Sequence, residues 1–419
     1  MFWLIENSKQ FEVLKNSGFK EAFVEIIPNN PYQHPIENSI CAFYVRPIQG
    51  HKGYILPISH TECGTLFEDD VYLWLKGLET IYVRDKKEFL HYTIFKQLVD
   101  ITLQIPPYIL PQTTAHTILY SRFPDLLSIN QIVPITKHYE VCEQVYDDLE
   151  HHVNSALNPF YNDRATLVFN AIERSGIKID KNEFKKHFHE IEDEFVYTQY
   201  NFKTLTSRPS NKFNGVNYAA LPKDSGCRRS FIPRNGSFVE FDISAYHPTL
   251  SAKLVGYDFG EGDIHANFAA MYKVDYAKAK ELTFKQLYGG VFDNYKDLPF
   301  FKLTSEYIRT NWEKYNAEGK LICPISNYEF KRDELENMNP QKLFNYVLQN
   351  LETSVNIEIL YRIFGVLKGK NTKLVLYTYD SFLFDVDDSE KEVLEQIKEV
   401  FNKLKLQIKS KHGYNYDFK

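Results

Sequence analysis

The sequence predicts an α+β protein of two or three domains, and three observations support this. The chain has 419 residues, which is too long for one compact core. Hydrophobic residues make up 43% of it, so each domain can bury a core of its own. The second half alternates short apolar runs typical of strands with longer stretches of helical spacing, an order that indicates an α+β unit.

The first half divides into a strand-rich part and a helical part. Short apolar runs broken by turn residues predict the strands of a small sheet between 22 and 58. Helical spacing follows from 72 to 103. The proline-rich segment 105–112 cannot form a regular helix, and we expect a loop there. From 139 to 202 the spacing is again helical, and Gly176 is expected to stop a helix.

The second half begins with the segment 206–217, whose Pro, Asn and Gly residues predict irregular structure. Strands are predicted in SFVEFDIS, which begins at Ser237, and in KLVLYTYDSFLFDV, which begins at Lys373. Helices are predicted at 276–288 and at 340–367.

Composition and charge limit the classes of function. The net charge of -6 gives no general attraction to nucleic acid, so any such binding needs a local basic groove. The five cysteines are scattered without close pairs, which argues against a zinc site and against a disulfide framework. No targeting segment or run of transmembrane length is found, so we expect a soluble, cytoplasmic protein without a membrane partner.

Two aspartates occupy positions that suit metal binding. Asp242 ends a hydrophobic strand, and Asp380 lies at the bend of a predicted hairpin. If the two strands are neighbours, both carboxylates could hold a pair of divalent cations, as phosphoryl transfer requires. An aspartate at a strand end or bend is more often a turn former, so the surrounding motifs must decide.

Three residues on one predicted helix suit nucleotide binding. Lys280, Phe284 and Tyr288 follow each other at intervals of four and therefore share one face. They offer a cation for a triphosphate and two rings for base and sugar, although such a stripe is more often part of a core. Upstream, His265 lies at the start of another apolar helix, where its imidazole could reach a phosphate.

A line of polar side chains follows the predicted helix 340–367. Asn345, Gln349, Glu352 and Asn356 lie on one side of it among Leu, Val and Ile residues. Such a line is costly to bury without partners, and the edges of a nucleic acid could supply them. The alternative is a side that faces solvent.

Taken in order, segments from about 167 to 419 resemble those of family A (polymerase I type) DNA polymerases. RRSFIPRNGSFVEFDIS resembles the segment with motif A, KELTFKQLYGG resembles motif B, and YTYDSFLF resembles motif C. GDIHANFAAMY, NYVLQN, TSRPS with NYAALP, IERSGIKID and GYNYD resemble further segments of the family. The resemblance implies a right-hand polymerase fold of palm, fingers and reduced thumb, preceded by an α/β ribonuclease H-like exonuclease-type domain.

The resemblance also implies a function and a set of roles. The chain would extend a primer on a DNA template with dNTPs, using two Mg²⁺ ions that Mn²⁺ can replace. Asp242 and Asp380 would be catalytic and would hold the metals together with the backbone carbonyl of Ile243. The implied nucleotide-binding residues are Tyr246, His247, His265, Lys280, Phe284 and Tyr288. The implied primer and template residues are Arg208, Lys223, Gly289, Asn345, Gln349 and Tyr379.

Three positions depart from the family pattern. His247 replaces the glutamate that screens the sugar, Tyr276 replaces an arginine of motif B, and Ser381 replaces a glutamate of motif C. RNA synthesis or reverse transcription by the same fold therefore stays open, as does a catalytically silent nucleic-acid-binding module. The cations left for the triphosphate are Lys280, His265 and further candidates among Lys273, Lys278 and Lys285.

The predicted domains are an exonuclease-like domain at 1–150, a reduced thumb at 151–206, and palm and fingers at 207–419. The thumb has room for only about two short helices between 180 and 206. We therefore expect low processivity or an accessory processivity factor. A compact polymerase of this kind resembles those of a phage or mobile element, which act in replication in a bacterial cytoplasm.

The acids of the exonuclease-like domain look degraded. The family has four carboxylates at positions where this chain offers only three glutamates and Ile27. We expect an inactive remnant, because one metal ligand is missing. The three remaining acids are Glu25, Glu88 and Glu143.

Overall fold

The computed structural model describes residues 3–48, 50–105, 130–153 and 163–418. The chain divides into two compact units, unit 1 (Met1–Tyr161) and unit 2 (Asn162–Lys419). The loop predicted at 105–112 lies, from 106 onward, outside the described residues. Within the described ranges, no helix combines the length and the apolar character needed to cross a membrane.

Unit 1 is built on a mixed five-stranded sheet with the order β3-β2-β1-β4-β5. β1 runs antiparallel to β2 and parallel to β4, which confirms the strands predicted between 22 and 58. Successive residues of β1 pack on opposite faces, Phe23 in one apolar cluster and Val24 in the other, so the sheet is covered on both sides. The strands are β1 (Glu21–Pro28), β2 (Ile40–Pro47), β3 (Tyr54–Pro57), β4 (Thr80–Val83) and β5 (Leu98–Asp100).

The helices of unit 1 include two within the region predicted to be helical from 72 to 103. That prediction is wrong in part, because β4 and β5 interrupt the region. Strands of three or four residues are too short to show their own period in the sequence, and their pairing with β1 decides their structure. The helices are α1 (Ser8–Lys15), α2 (Glu68–Leu75), α3 (Lys86–Tyr92) and α4 (Ile135–Leu149).

Unit 2 opens with helices and short strands. Its first helix ends at Ser175, and Gly176 follows with a φ of +60°, which confirms the predicted stop. Only one helix lies between 180 and 206, all of which the structure describes, where two short helices were predicted. The elements are α5 (Asp163–Ser175), β6 (Ile177–Lys178), α6 (Lys181–His187), β7 (Phe195–Val196) and β8 (Tyr200–Asn201).

The segment 206–217 is more regular than predicted. It contains a hairpin of β9 (Ser210–Phe213) and β10 (Val216–Asn217). The turn is Asn214–Gly215, with φ values of +47° and +78°. An Asn-Gly pair favours such two-residue turns, so the signal was present in the sequence and was overlooked.

The centre of unit 2 is an antiparallel sheet of four strands in the order β14-β15-β11-β16. It confirms the strands predicted in SFVEFDIS and KLVLYTYDSFLFDV. Phe238 packs in the core on one side of β11, while Phe241 contacts Phe384 and Phe401 on the other. The strands are β11 (Ser237–Ile243), β12 (Lys320–Ile322), β13 (Glu329–Lys331), β14 (Lys373–Thr378), β15 (Ser381–Val386) and β16 (Ile408–Gly413); β12 and β13 form a separate pair.

The remaining described helices of unit 2 pack against one another. The helix predicted at 340–367 is confirmed; its Asn339 cap accepts a hydrogen bond from the Lys342 backbone N–H at 2.8 Å. This helix contacts five others, which explains why it is apolar on most sides. The helices are α7 (Tyr246–Val255), α8 (Ile264–Tyr272), α9 (Tyr276–Gly289), α10 (Pro299–Glu318), α11 (Pro340–Leu367) and α12 (Glu392–Lys403).

Candidate active site

The central sheet brings Asp242 and Asp380 side by side. β11 pairs with β15 so that Asp242 lies opposite Ser381, the residue after Asp380. The backbone N–H of Ile243 donates a hydrogen bond of 2.8 Å to the carbonyl of Asp380. The hairpin turn holds Tyr379 at a φ of +64°, and this tight bend presents Asp380 at the edge of the sheet.

Both carboxylates lie in an environment that disfavours negative charge. Burial and the nearby charge of Asp242 raise the pKa of Asp380 to about 6. Burial and Glu240 raise the pKa of Asp242, while Lys411 and other lysines act in the opposite direction. Two crowded carboxylates of this kind offer oxygen ligands and negative charge that a divalent cation would neutralise.

The chain turns sharply after β11 and places further predicted residues beside the two acids. Ala245 has a φ of +48°, an uncommon conformation for a residue with a β carbon, and α7 begins at the next residue. Tyr246 and His247, the first two residues of α7, therefore line the same cleft as Asp242. The Tyr246 hydroxyl donates a hydrogen bond of 2.8 Å to Oδ1 of Asn356, which fixes the start of α7 against α11.

An open cleft of about 640 Å³ lies over the two aspartates. Lys280, Phe284 and Tyr288 of α9 line it, so this stripe faces the cleft and is not part of a core. The rings of Phe284 and Tyr288 stack with centroids 5.8 Å apart and an interplanar angle of 14°. The lining residues are Arg208, Asp242, Ile243, Ser244, Ala245, Tyr246, His247, His265, Lys280, Phe284, Tyr288, Glu352, Asp380 and Lys409.

His265 stands in the cleft wall at the first turn of α8. The side chain of Asp263 caps this helix by accepting hydrogen bonds from the backbone N–H groups of His265 and Ala266, at 2.8 and 3.0 Å. His265 is 3% exposed, and its Nδ1 is buried without a hydrogen-bond partner. Burial, followed by the charge of Lys280, lowers the pKa of the imidazole. A ligand that supplies a hydrogen bond or negative charge would be favoured beside it.

A chain of polar contacts crosses the cleft. The Tyr288 hydroxyl and Nδ1 of His247 share a hydrogen bond of 2.7 Å, and Nε2 of His247 donates one of 3.0 Å to Glu352. A carboxylate can only accept, so Nε2 of His247 carries the proton of the second contact. Nε of Arg208 lies 3.2 Å from the same Glu352, and its guanidinium stacks 3.6 Å above the ring of Tyr379.

Glu352 is the centre of this chain, and it was not predicted as a site residue. It is 2% exposed, and Asn356 is fully buried, so the solvent-facing alternative for the polar line is wrong at both positions. Asn345 donates a hydrogen bond of 3.2 Å to the Tyr288 carbonyl, and Gln349 accepts one of 3.1 Å from Thr206. The polar line on an apolar helix was the signal that could have identified Glu352.

Some predicted residues lie outside the cleft lining. Tyr379 stacks against Arg208, which is part of the lining. Gly289 is the last residue of α9. The charge of Lys223 partly opposes the rise in the pKa of Asp242. Lys278 and Lys285 both form ion pairs with Glu281 on the side of α9 away from the cleft lining. The lining also omits Lys273, so the structure favours none of these three lysines as a triphosphate ligand.

Lys409 lines the cleft instead, and no pattern in the sequence had indicated it.

The three acids predicted in unit 1 are all engaged by protein donors. Nε of Arg84 lies 3.0 Å from Glu25, and its Nη2 lies 3.4 Å from Glu88. Glu143 is enclosed in the same way. It accepts hydrogen bonds from Arg46 at 2.6 Å, from the Tyr44 hydroxyl at 2.7 Å and from the Gly53 backbone N–H at 2.7 Å.

The mixed α+β fold is that of a polymerase domain. The structure is similar to that of the POL domain of Pol1 from M. smegmatis, solved in complex with DNA primer-template and dNTP. The TM-score is 0.70 at 14% sequence identity, and the match covers 99% of each chain. No protein-family model matches the sequence, and no curated protein matches it either.

Proposed function

We propose that this protein is a template-directed DNA polymerase that extends the 3′ end of a primer with deoxynucleoside triphosphates by two-metal phosphoryl transfer. One observation carries the proposal: Asp242 and Asp380 meet in a cleft whose wall carries Lys280, Phe284 and Tyr288. Acids for metals, a cation for phosphate and rings for a base are thus gathered in one place. The similar structure bears DNA and a nucleotide, which supports the same assignment.

The donor set suits Mg²⁺, with Mn²⁺ as a substitute, because all of its ligands are oxygens. Asp242 and Asp380 would hold two ions together with the backbone carbonyl of Ile243. The bound ions would lower the pKa of the attacking hydroxyl and neutralise charge on the departing pyrophosphate. Burial and the nearby charge of Asp242 raise the pKa of Asp380 to about 6, and bound cations would favour its ionised form.

The remaining groups of the cleft would bind and orient the reactants. Lys280 and His265 would contact the triphosphate, and Phe284 with Tyr288 would pack against sugar and base. Arg208, held by Tyr379 and Glu352, would contact the primer strand. Asn345 and Gln349 would face the template.

The segment 151–206 is proposed as a reduced thumb. Between 180 and 206 it contains one helix of seven residues, α6. So small an element offers little surface to hold a duplex, which supports low processivity or the need for an accessory factor.

Primer extension by the purified protein tests the proposed function. A labelled DNA primer on a DNA template, supplied with Mg²⁺ and dNTPs, should lengthen to the end of the template under multiple-turnover conditions. The number of nucleotides added in a single binding event measures processivity, which we expect to be low because the thumb is short. A pure protein that binds the duplex and adds no nucleotide would exclude the enzyme and leave the silent binding module.

RNA synthesis or reverse transcription is the second candidate, because the resemblance puts His247 in place of the glutamate that screens the sugar. His247 is held by Tyr288 and Glu352. We expect His247→Ala to lower discrimination between dNTPs and NTPs by roughly tenfold, because the Tyr288 hydroxyl and the wall beside the sugar lose their support. Single-nucleotide incorporation with each nucleotide set, on DNA and RNA templates, measures the ratio of kcat/KM values.

The conservative variant His247→Gln serves as the control for this experiment. It keeps polar atoms between Tyr288 and Glu352, so it should retain more discrimination than the alanine variant. Equal discrimination by the wild-type protein and His247→Ala would remove His247 from sugar selection. A wild-type preference for NTPs would favour the RNA-synthesising alternative.

We also propose that unit 1 is an exonuclease-like domain without activity. The mixed sheet with its antiparallel β2 is compatible with a ribonuclease H-like domain. Arg84 bridges Glu25 and Glu88, so an arginine occupies the region where metals would be needed. We expect the wild-type protein to leave labelled single-stranded DNA intact in Mg²⁺ or Mn²⁺. Degradation that Glu143→Ala abolishes would show an active nuclease.

A further inference from the structure

We infer that Lys409 is a ligand of the triphosphate and takes over the task of the motif B arginine that Tyr276 replaces. The inference rests on the proposed function and assigns one further residue to the same site. Lys409 comes from β16, more than a hundred residues beyond α9 in sequence. It was not among the cations that the sequence suggested.

The register of the sheet places Lys409 next to the two aspartates. On β16 it pairs directly with Asp242 of β11, and directly opposed residues of an antiparallel pair extend their side chains on the same face. Both residues line the cleft. The next pair on this face, Lys411 and Glu240, forms an ion pair of 2.6 Å, which confirms the direction of the side chains. An ammonium group thus stands between the proposed metal site and the wall of α9.

Tyr276 holds this ammonium group in place. Nζ of Lys409 donates a hydrogen bond of 3.1 Å to the Tyr276 hydroxyl and lies 3.7 Å from Oδ2 of Asp263. The Tyr276 hydroxyl in turn donates a hydrogen bond of 3.1 Å to the same Asp263 oxygen. The ammonium also lies 5.5 Å from the centroid of the tyrosine ring. An ammonium has three donors, so one is left for an anion in the cleft after these two contacts.

The neighbouring basic side chains support the assignment. Lys280 and His265 line the cleft together with Lys409, and His265 has a buried Nδ1 without a hydrogen-bond partner. Lys278 is paired with Glu281 and lies outside the cleft lining. Three basic groups therefore converge beside the carboxylate pair, where the phosphates of a metal-bound nucleotide would lie.

Nucleotide binding without catalysis tests the inference. A primer that ends in a 2′,3′-dideoxynucleotide, annealed to a template and bound to the protein with Mg²⁺, cannot be extended. We expect Lys409→Met to raise the Kd for the matched dNTP roughly tenfold, because one charge-assisted contact to phosphate is lost. The Kd for the matched nucleoside monophosphate and the Kd for the primer-template should stay unchanged.

Two further variants complete the experiment. Lys409→Arg keeps the positive charge and should recover most of the affinity for the dNTP. Lys278→Met removes a neighbouring cation of the same region and should bind the dNTP like the wild-type protein. A melting temperature of Lys409→Met equal to that of the wild-type protein shows that the fold is intact.

The outcomes separate this inference from the proposed function. If the wild-type protein binds the matched dNTP and Lys409→Met binds it equally well, the lysine is not a ligand while the polymerase proposal stands. Loss of affinity in Lys278→Met instead of Lys409→Met has the same meaning. If Lys409→Met loses primer-template binding in parallel, the lysine serves the nucleic acid. A wild-type protein that binds no dNTP in the presence of primer-template overturns both proposals.

Discussion

Replacing Asp242 or Asp380 by alanine is expected to lower the rate of primer extension by roughly 10³-fold or more. Asp242 lies opposite Ser381, the residue after Asp380, so either substitution removes a proposed ligand of the metal ions. The rate of single-nucleotide addition under saturating dNTP, measured with Mg²⁺ and with Mn²⁺, gives the size of the loss. Binding of the primer-template should be much less affected, because these residues are acidic.

The control for this prediction is Asp293→Asn. The Asp293 side chain is 96% exposed and pairs only loosely with Lys296, so its removal should leave the rate unchanged. Asp380→Asn should be inactive yet no less stable than the wild-type protein. The raised pKa of Asp380, about 6, means that its ionised form is disfavoured by folding at neutral pH, and asparagine removes that charge. Extension at a near wild-type rate by either alanine variant would contradict the two-metal proposal.

The second large effect is expected for Glu352→Ala. This buried carboxylate accepts a hydrogen bond from His247 and forms an ion pair with Arg208, so its loss leaves His247 without its acceptor and Arg208 without its counter-charge. We expect a loss of about 2–3 kcal/mol in the free energy of unfolding, because buried polar groups become unsatisfied. We also expect a roughly 10²-fold fall in kcat/KM, since the sugar-screening and primer-contacting residues are no longer held in position. Urea unfolding and single-nucleotide incorporation measure the two effects.

Glu352→Gln separates the role of charge from that of shape. The amide oxygen can still accept a hydrogen bond from His247, so stability should recover in part while the ion pair with Arg208 is lost. Glu358→Gln, a half-buried residue about two turns further along α11 that lies outside the cleft lining, is the matched control and should change neither quantity by much. If Glu352→Ala keeps both its stability and its kcat/KM for nucleotide incorporation, the polar chain across the cleft has no functional role.

The sequence by itself was sufficient for those parts of the protein whose signals are local. The strand that ends at Asp242, the hairpin that bends at Asp380 and the helix 340–367 all follow from periodicity, turn residues and a proline at the first turn. The stripe of Lys280, Phe284 and Tyr288 follows from helical spacing alone. The order of these segments then led to a polymerase fold, which the structural likeness supports.

The tertiary structure alone decided the residues that depend on pairing between distant segments. Lys409 reaches the cleft through its register with Asp242, and the sequence carries no record of that register. Glu352 becomes a buried centre only because α11 packs against α7 and against the segment that carries Arg208. Arg84, the residue after β4, reaches Glu25 of β1 because the two strands are neighbours. In each case, the side chain's role is determined by neighbours far away in sequence, which local patterns cannot specify.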